Sequence, residues 1–165
     1  MNRFRFAGAG VAAVVAALVA GSALAASTTA AKVVPFTGKY AGTASAKVTQ
    51  QVADISATGK GTGTLLGAST ITGAGKGDAS VQPCVPFTGP GSLVGSNGTK
   101  LRFTIVPGSQ GCGDEGGHVF SVVGHAKVLG GSGKYAKARG TLKVTGVFDR
   151  DAGTFSIKFT GSLTA

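Results

Sequence analysis

The densest group of side chains that could do chemistry is Asp114, Glu115 and His118. A pair of carboxylates near a histidine can transfer protons or bind a cation. The same residue types are common on solvated loops, and the glycine-rich segment from Pro107 to Gly117 predicts an irregular loop. The group is therefore a weak candidate site, and both interpretations stay open on the sequence.

Cys84 and Cys112 are the two cysteines of the chain. No further ligand stands near them at the spacing of a metal site, and no histidine is marked as the partner of a catalytic thiol. In an oxidising compartment, two cysteines form one intramolecular disulfide by default. We expect this bond to tie down the loop around Cys112 and to stabilise the fold by roughly 3 to 4 kcal/mol in the chain-entropy model.

The remaining polar candidates are explained by structural roles. His125 shares a strand face with Lys127, which predicts a solvated histidine. Asp149 and Asp151 flank Arg150 in a predicted hairpin turn, where Asx-turn chemistry explains them. That turn offers too few oxygen ligands for calcium, and no Gly-x-Ser-x-Gly motif is present. We therefore expect neither a metal nor a cofactor, and the catalytic residues, if any exist, are not identified.

The run Gly59, Gly61 and Gly63 resembles a nucleotide-binding loop only superficially. The glycines repeat at a strict period of two, and no helix is predicted after them, as a dinucleotide-binding loop requires. A strand whose inward face is glycine leaves room for something opposite. That room can be occupied by large side chains or by a ligand.

Met1 to Ala25 has the pattern of a secretory signal peptide. Arg3 and Arg5 precede an Ala/Val/Gly run that ends in Ala-x-Ala. The 19 residues from Ala7 to Ala25 are long enough for a membrane anchor, but they are rich in Ala and Gly and lack a basic stop-transfer flank. We expect cleavage after Ala25, a flexible lead-in over 26–32, and a protein that is secreted to the exterior or the cell envelope without a transmembrane anchor.

The charge of the exported chain is strongly positive. Without Arg3 and Arg5, 14 basic residues face 6 acidic ones, a net charge of +8. The lysines are scattered, which is typical of a solvated strand face that discourages edge association. Such a surface also attracts anionic envelope components weakly. Nucleic-acid binding is not expected, because there is no arginine-rich stripe, no Trp and no aromatic platform.

The elements that must position these residues are β-strands. Period-2 alternation recurs with Gly, Thr and Ser between the runs, which predicts a single all-β domain over 33–165. The last hairpin is the clearest, with a turn at 149–153. Its antiparallel register is predicted to pair Phe148 with Phe155, Gly146 with Ile157, Val144 with Phe159 and Leu142 with Gly161. In this register Gly146 and Gly161 lie across from large residues.

The segment Gly-Gly-Ser-Gly-Lys-Tyr-x-x-Ala-Arg-Gly at 130–140 resembles the corresponding turn of plant dirigent proteins, allene oxide cyclases and allied bacterial secreted proteins. The resemblance implies an antiparallel eight-stranded β-barrel with a central cavity, and it is compatible with a dimer or trimer. Dirigent proteins steer phenoxy-radical coupling, and allene oxide cyclases close an unsaturated epoxide ring. Both use polar residues inside the cavity, whereas the inward faces of this chain are apolar or glycine.

The residues of the segment themselves indicate a structural turn. Gly130, Gly131 and Gly133 allow positive φ in a tight connection before Gly140. Tyr135 is predicted to lay its ring over the barrel end with its hydroxyl in water. It also replaces the Ser/Thr of a phosphate-binding loop, and a strand follows where such a loop needs a helix.

The sequence therefore predicts a secreted β-barrel that is not an enzyme. It would bind a small hydrophobic ligand in its cavity or anionic envelope components at its basic surface. The alternative is a cofactor-free isomerase or cyclase, or a radical-coupling guide, acting in the cavity. The mouth of a β-barrel is a usual place for a ligand pocket, so the contents of the barrel discriminate between these functions.

Overall fold

The computed structural model of the chain describes residues 32–164. The predicted signal peptide and the lead-in as far as residue 31 lie outside the described residues, as does Ala165. The described part holds nine strands and one turn of 3-10 helix, Gly133–Tyr135. The strands are β1 (Val33–Thr49), β2 (Val52–Gly63), β3 (Gly67–Asp78), β4 (Cys84–Gly95), β5 (Lys100–Ile105), β6 (Gln110–Gly113), β7 (Val119–Gly131), β8 (Arg139–Asp149) and β9 (Thr154–Thr164).

The strands close into an eight-stranded antiparallel barrel, as predicted. Neighbours follow the order β3-β2-β1-β9-β8-β7-β5-β4, and pairing between β3 and β4 completes the ring. The short strands β5 and β6 lie end to end, because both pair with β4 on one side and β7 on the other. They share one position in the barrel, which explains nine strand segments in eight places.

Side-chain alternation decides which face of each strand is buried. On β1, Phe36 and Tyr40 are buried while Thr37 and Lys39 are exposed, as the pleat of a strand requires. The predicted register of the last hairpin is confirmed, with β8 and β9 paired from Arg139–Thr164 to Asp149–Thr154. The four predicted partner pairs all occur in that ladder.

One prediction about an irregular segment needs correction. Pro107 to Gly117 is not wholly a loop, because 110–113 form β6. The backbone there pairs with β4 and β7, whose buried N–H and C=O groups need partners. Ser109 bridges the break before β6: its buried hydroxyl donates to the Val106 carbonyl at 2.8 Å and accepts from the His125 amide at 3.0 Å.

The barrel has two different ends. We call the mouth the end formed by the β1–β2 turn, the β3–β4 connection, the β6–β7 loop and the β8–β9 turn. We call the base the opposite end, formed by the β2–β3 and β4–β5 turns and the β7–β8 connection. The base is packed with buried side chains, among them Phe36, Tyr40, Leu66, Leu93, Leu101, Tyr135 and Leu163.

The segment 130–140 forms the β7–β8 connection across the base. Gly130 and Gly133 have positive φ of 110° and 56°, which glycine adopts without steric cost. Gly131 does not have the predicted positive φ; a Cβ there would overlap the Lys100 carbonyl oxygen. Tyr135 is 6% exposed and belongs to the core. Its hydroxyl lies 3.5 Å from the carbonyl oxygen of Leu65, and not in water as predicted, because the connection folds inward onto the β2–β3 turn.

Candidate functional site

The half of the barrel next to the mouth encloses a cavity of about 580 Å³. The rings of Phe103 and Phe159 line it on the side of the base, whereas Phe155, the second residue of β9 after the β8–β9 turn, lines its wall. Phe103 and Phe159 meet edge to face with their ring centroids 5.4 Å apart. Tyr40 then packs against Phe159 at 5.9 Å and fills the barrel beyond. These rings therefore form the floor of the cavity.

Short side chains on three neighbouring strands create the empty space. Ala44 on β1, Ala57 on β2 and Gly73 on β3 are successive register partners, and all three line the cavity. A Cβ atom built on Gly73 would have a single neighbour within 4 Å, the Pro90 carbonyl oxygen at 3.9 Å. No side chain from the opposite wall occupies the space in front of this glycine.

Other inward glycines are covered by aromatic rings. A Cβ on Gly61 would come within 2.7 Å of Tyr40 Cδ1, and one on Gly63 within 2.9 Å of the Tyr40 hydroxyl. A Cβ on Gly91 would overlap the ring of Phe103. Large side chains therefore occupy the room in front of Gly61 and Gly63, which is one of the two predicted alternatives for that run, whereas the open space of the barrel lies in front of Gly73.

The lining of the cavity is almost wholly apolar. Of its 29 lining residues, three have polar side chains, Gln82, Thr88 and Arg150, and all three are exposed. Gln82 is already engaged, since its amide donates to the Ala79 carbonyl at 3.1 Å. Thr88 is the register partner of exposed Lys76, so its side chain lies on the outer face. The floor and walls thus offer van der Waals contact, and Gln82 and Arg150 offer polar contact at the edge of the mouth.

The structure places Asp114, Glu115 and His118 on the exposed β6–β7 loop at the mouth. The Asp114 carboxylate accepts from the His118 backbone amide at 2.7 Å, and this hydrogen bond lowers the pKa of Asp114. The His118 ring lies 2.6 Å from the Asp151 carboxylate instead. Asp114 therefore orders the loop and His118 links it to the β8–β9 turn, while Glu115 is exposed on the same loop. Among residues 32–164, no group of three His, Cys, Asp or Glu side chains is placed to hold a metal.

The predicted disulfide between Cys84 and Cys112 is confirmed. The two residues are direct register partners on β4 and β6, so the bond holds the short strand β6 to the barrel wall at the mouth. Of the two aspartates predicted to order the β8–β9 turn, Asp149 bonds to the turn backbone, accepting from the Ala152 amide three residues on at 2.8 Å, whereas Asp151 contacts His118 instead. The rim of the cavity is thus fastened by covalent and polar links.

Sequence reasoning missed the residues that set the cavity boundary. Tyr40 is 2% exposed, and its hydroxyl lies 3.0 Å from the Ser69 hydroxyl. Burial raises the pKa of Tyr40, and the Ser69 hydrogen bond partly opposes this. Gly73 was also missed, although small inward residues at matching positions of three adjacent strands are a signal visible in the sequence.

In comparisons with known proteins, the chain matches no protein-family model, no curated protein and no solved structure. Within the part of the chain that the structure describes, no helix has the length and apolar character needed to cross a membrane.

Proposed function

We propose that the protein is a secreted, non-catalytic module that binds a small hydrophobic molecule in the mouth half of its barrel. The observation that carries this proposal is the apolar cavity of about 580 Å³. This volume lies within the range of about 300 to 1,000 Å³ typical of ligand pockets. The disulfide and the hydrogen bonds that hold the mouth in place also support the proposal. Because the pocket is already ordered, little conformational entropy is lost when a ligand binds.

The chemistry of the walls selects the ligand class. A polar group carried past the rim would meet Ile55, Ala57, Phe103 or Ile157, and burying it without a hydrogen-bond partner is costly. An apolar body gains free energy from the same surfaces. The ligand is therefore an apolar molecule, with any polar group left at the rim near Gln82 or Arg150.

The alternative function is a cofactor-free isomerase or cyclase, or a radical-coupling guide. Such an enzyme stabilises developing charge with polar groups placed beside the reacting atoms. Here the polar lining side chains are exposed, with Arg150 the single charged one. This placement favours binding over catalysis, and the resemblance to dirigent proteins and allene oxide cyclases stays a prediction.

The proposal is tested with a fluorescent apolar probe, 1-anilinonaphthalene-8-sulfonate, and two leucine variants. Gly73→Leu puts a side chain into the open space of the cavity. Thr58→Leu is the matched control, because Thr58 is exposed on the adjacent strand β2, opposite Thr72. We expect Gly73→Leu to weaken probe binding about tenfold or more, because the leucine occupies apolar surface that the probe would otherwise bury. Thr58→Leu should leave probe binding unchanged.

Native mass spectrometry of the protein purified from its own secretion then identifies a retained molecule. An apolar molecule that leaves on denaturation, intact and in stoichiometric amount, supports the binding function. Equal probe binding by both variants would contradict the cavity site. Conversion of the retained molecule to a product by the folded protein, but not by Gly73→Leu, would show that the enzyme alternative is correct.

A further inference from the structure

Acidic and basic residues occupy different parts of the barrel. All six acidic residues stand at or next to the mouth, on the ends of strands or in the mouth turns. Three basic residues, Lys47, Lys76 and Arg150, are near them. The other 11 of the 14 basic residues from Lys32 onward lie on the wall or the base. The outer wall is therefore positively charged without interruption by acidic residues.

Five exposed lysines form a continuous band on this wall. One lies on each of five adjacent strands, β7, β8, β9, β1 and β2. On the outer face of a barrel, directly opposite residues have Cβ atoms about 4.5 to 5.5 Å apart and diagonal neighbours about 7 to 8 Å apart. We call this band the lysine row; its members are Lys127, Lys143, Lys158, Lys39 and Lys60.

The register shows that the row has no gaps. Lys158 is directly opposite Lys39. Lys143 pairs with His125, two positions from Lys127. The same diagonal step joins Lys143 to Lys158, whose partner is Thr145. It also joins Lys39 to Lys60, whose partner is Ala41.

The row carries uncompensated repulsion. Like charges directly opposite each other destabilise a sheet, and Lys39 faces Lys158 in this way. The ion pairs among residues 32–164 are Lys76–Asp54 and His118–Asp151, so none of them neutralises the row. An anionic partner outside the chain would relieve this repulsion.

We infer that the lysine row is the binding surface for a linear acidic polysaccharide lying across the strands. The repeating carboxylates of such a polymer match one lysine per strand. Hydroxyl groups lie between the lysines for contact with sugar hydroxyls, from Thr37, Thr62, Thr141, Thr145 and Thr160.

A nucleic acid fits this surface less well. Single-stranded nucleic acids bind by stacking their bases on aromatic side chains. On the five strands of the row, within the described residues, the aromatic side chains are on the inward face. They are Phe36, Tyr40, Phe120, Phe148, Phe155 and Phe159. Because the row lies on the outer wall and the mouth is acidic, the polymer leaves the cavity open, and this site stands independently of the ligand-binding proposal.

Two triple variants with the same loss of charge test the inference. Lys39→Gln/Lys143→Gln/Lys158→Gln removes the centre of the row. Lys100→Gln/Lys134→Gln/Lys137→Gln removes three charges near the base. Binding to polygalacturonate is measured by affinity electrophoresis at several salt concentrations, with neutral dextran and an oligothymidylate as comparison probes. We expect the row variant to bind polygalacturonate about tenfold more weakly, as the loss of three exposed charge pairs implies, and the base variant to stay within about threefold of the wild type.

The melting temperature of each variant shows that it is folded; the row variant should melt no lower than the wild type, since it loses like-charge repulsion. If that triple variant fails to fold, the same binding measurement is made on Lys158→Gln alone, for which we expect a smaller loss of affinity for polygalacturonate. Equal weakening by the two triple variants would mean that net charge alone acts, which overturns the site. Oligothymidylate binding as tight as polygalacturonate binding at the same salt concentration would overturn the polysaccharide class.

Discussion

Two inward-facing glycines on neighbouring strands, Gly61 and Gly73, should respond oppositely to the same substitution. A Cβ added at Gly61 would overlap the Lys39 carbonyl oxygen and come within 2.7 Å of Tyr40 Cδ1. At Gly73 the nearest atom is the Pro90 carbonyl oxygen, 3.9 Å away. Neither position has a positive φ, so the difference depends on space alone.

The structure gives the size of each effect. Gly61→Ala must move backbone or a buried ring, and overpacking of this kind costs about 1 to 3 kcal/mol. Gly73→Ala adds no clash and restricts the unfolded chain, which stabilises by about 0.4 to 1 kcal/mol. For a domain of this length, 1 kcal/mol shifts the melting temperature by about 4 °C. We therefore expect a fall of about 4 to 12 °C for Gly61→Ala and a rise of about 2 to 4 °C for Gly73→Ala.

Differential scanning calorimetry of the wild type and both variants measures these shifts, and urea unfolding gives the free energies independently. Gly73→Leu extends the series, because a larger side chain also enters open space and should not lower the melting temperature. A fall for Gly73→Ala as large as that for Gly61→Ala would refute the reasoning, since it would mean that the mouth half of the barrel is filled.

Three further predictions concern the parts that frame the cavity. Tyr135→Ala should lower the free energy of unfolding by about 3 to 5 kcal/mol, the loss expected for a buried aromatic side chain, measured by urea unfolding; Tyr135→Phe should restore most of it. Replacing Cys84 and Cys112 by serine should lower it by roughly 3 to 4 kcal/mol, and a wild-type protein treated with reductant should match that variant. The lowered pKa of Asp114 means that its carboxylate stabilises the mouth loop above its usual pKa of 3.8, and that this contribution is lost as the pH falls through the lowered value. Hydrogen-exchange protection of the His118 amide should fall with it, whereas Asp114→Asn should show protection without that pH dependence.

Local patterns determined the fold class and much of the register. Alternating side chains in 142–148 and 155–163 identify which face of each strand is buried, because the period of two is a property of the strand itself. The short turn between them then sets the pairing of β8 with β9. The disulfide was also predictable, since two cysteines in a chain that is predicted to be exported have one intramolecular pairing available.

The candidate site was less predictable, for reasons that lie in the tertiary structure. Asp114, Glu115 and His118 are adjacent in the sequence, but the imidazole contacts Asp151 on another turn and the Asp114 carboxylate contacts a backbone amide. Nothing in the local sequence indicates that the Ser109 hydroxyl makes hydrogen bonds where the chain passes from β5 to β6. These contacts depend on which segments the closed barrel brings together.

The sequence by itself determined that the chain forms an all-β domain with small and large residues on its inward faces, and the barrel was implied by the resemblance of the segment 130–140. Only the tertiary structure decided which glycines are covered and which face empty space. Gly61 and Gly73 have the same residue type and the same inward placement, yet Tyr40 covers one and no side chain reaches the other. The physical reason is that filling depends on side chains from other strands, and their heights along the barrel are set by its closure and stagger.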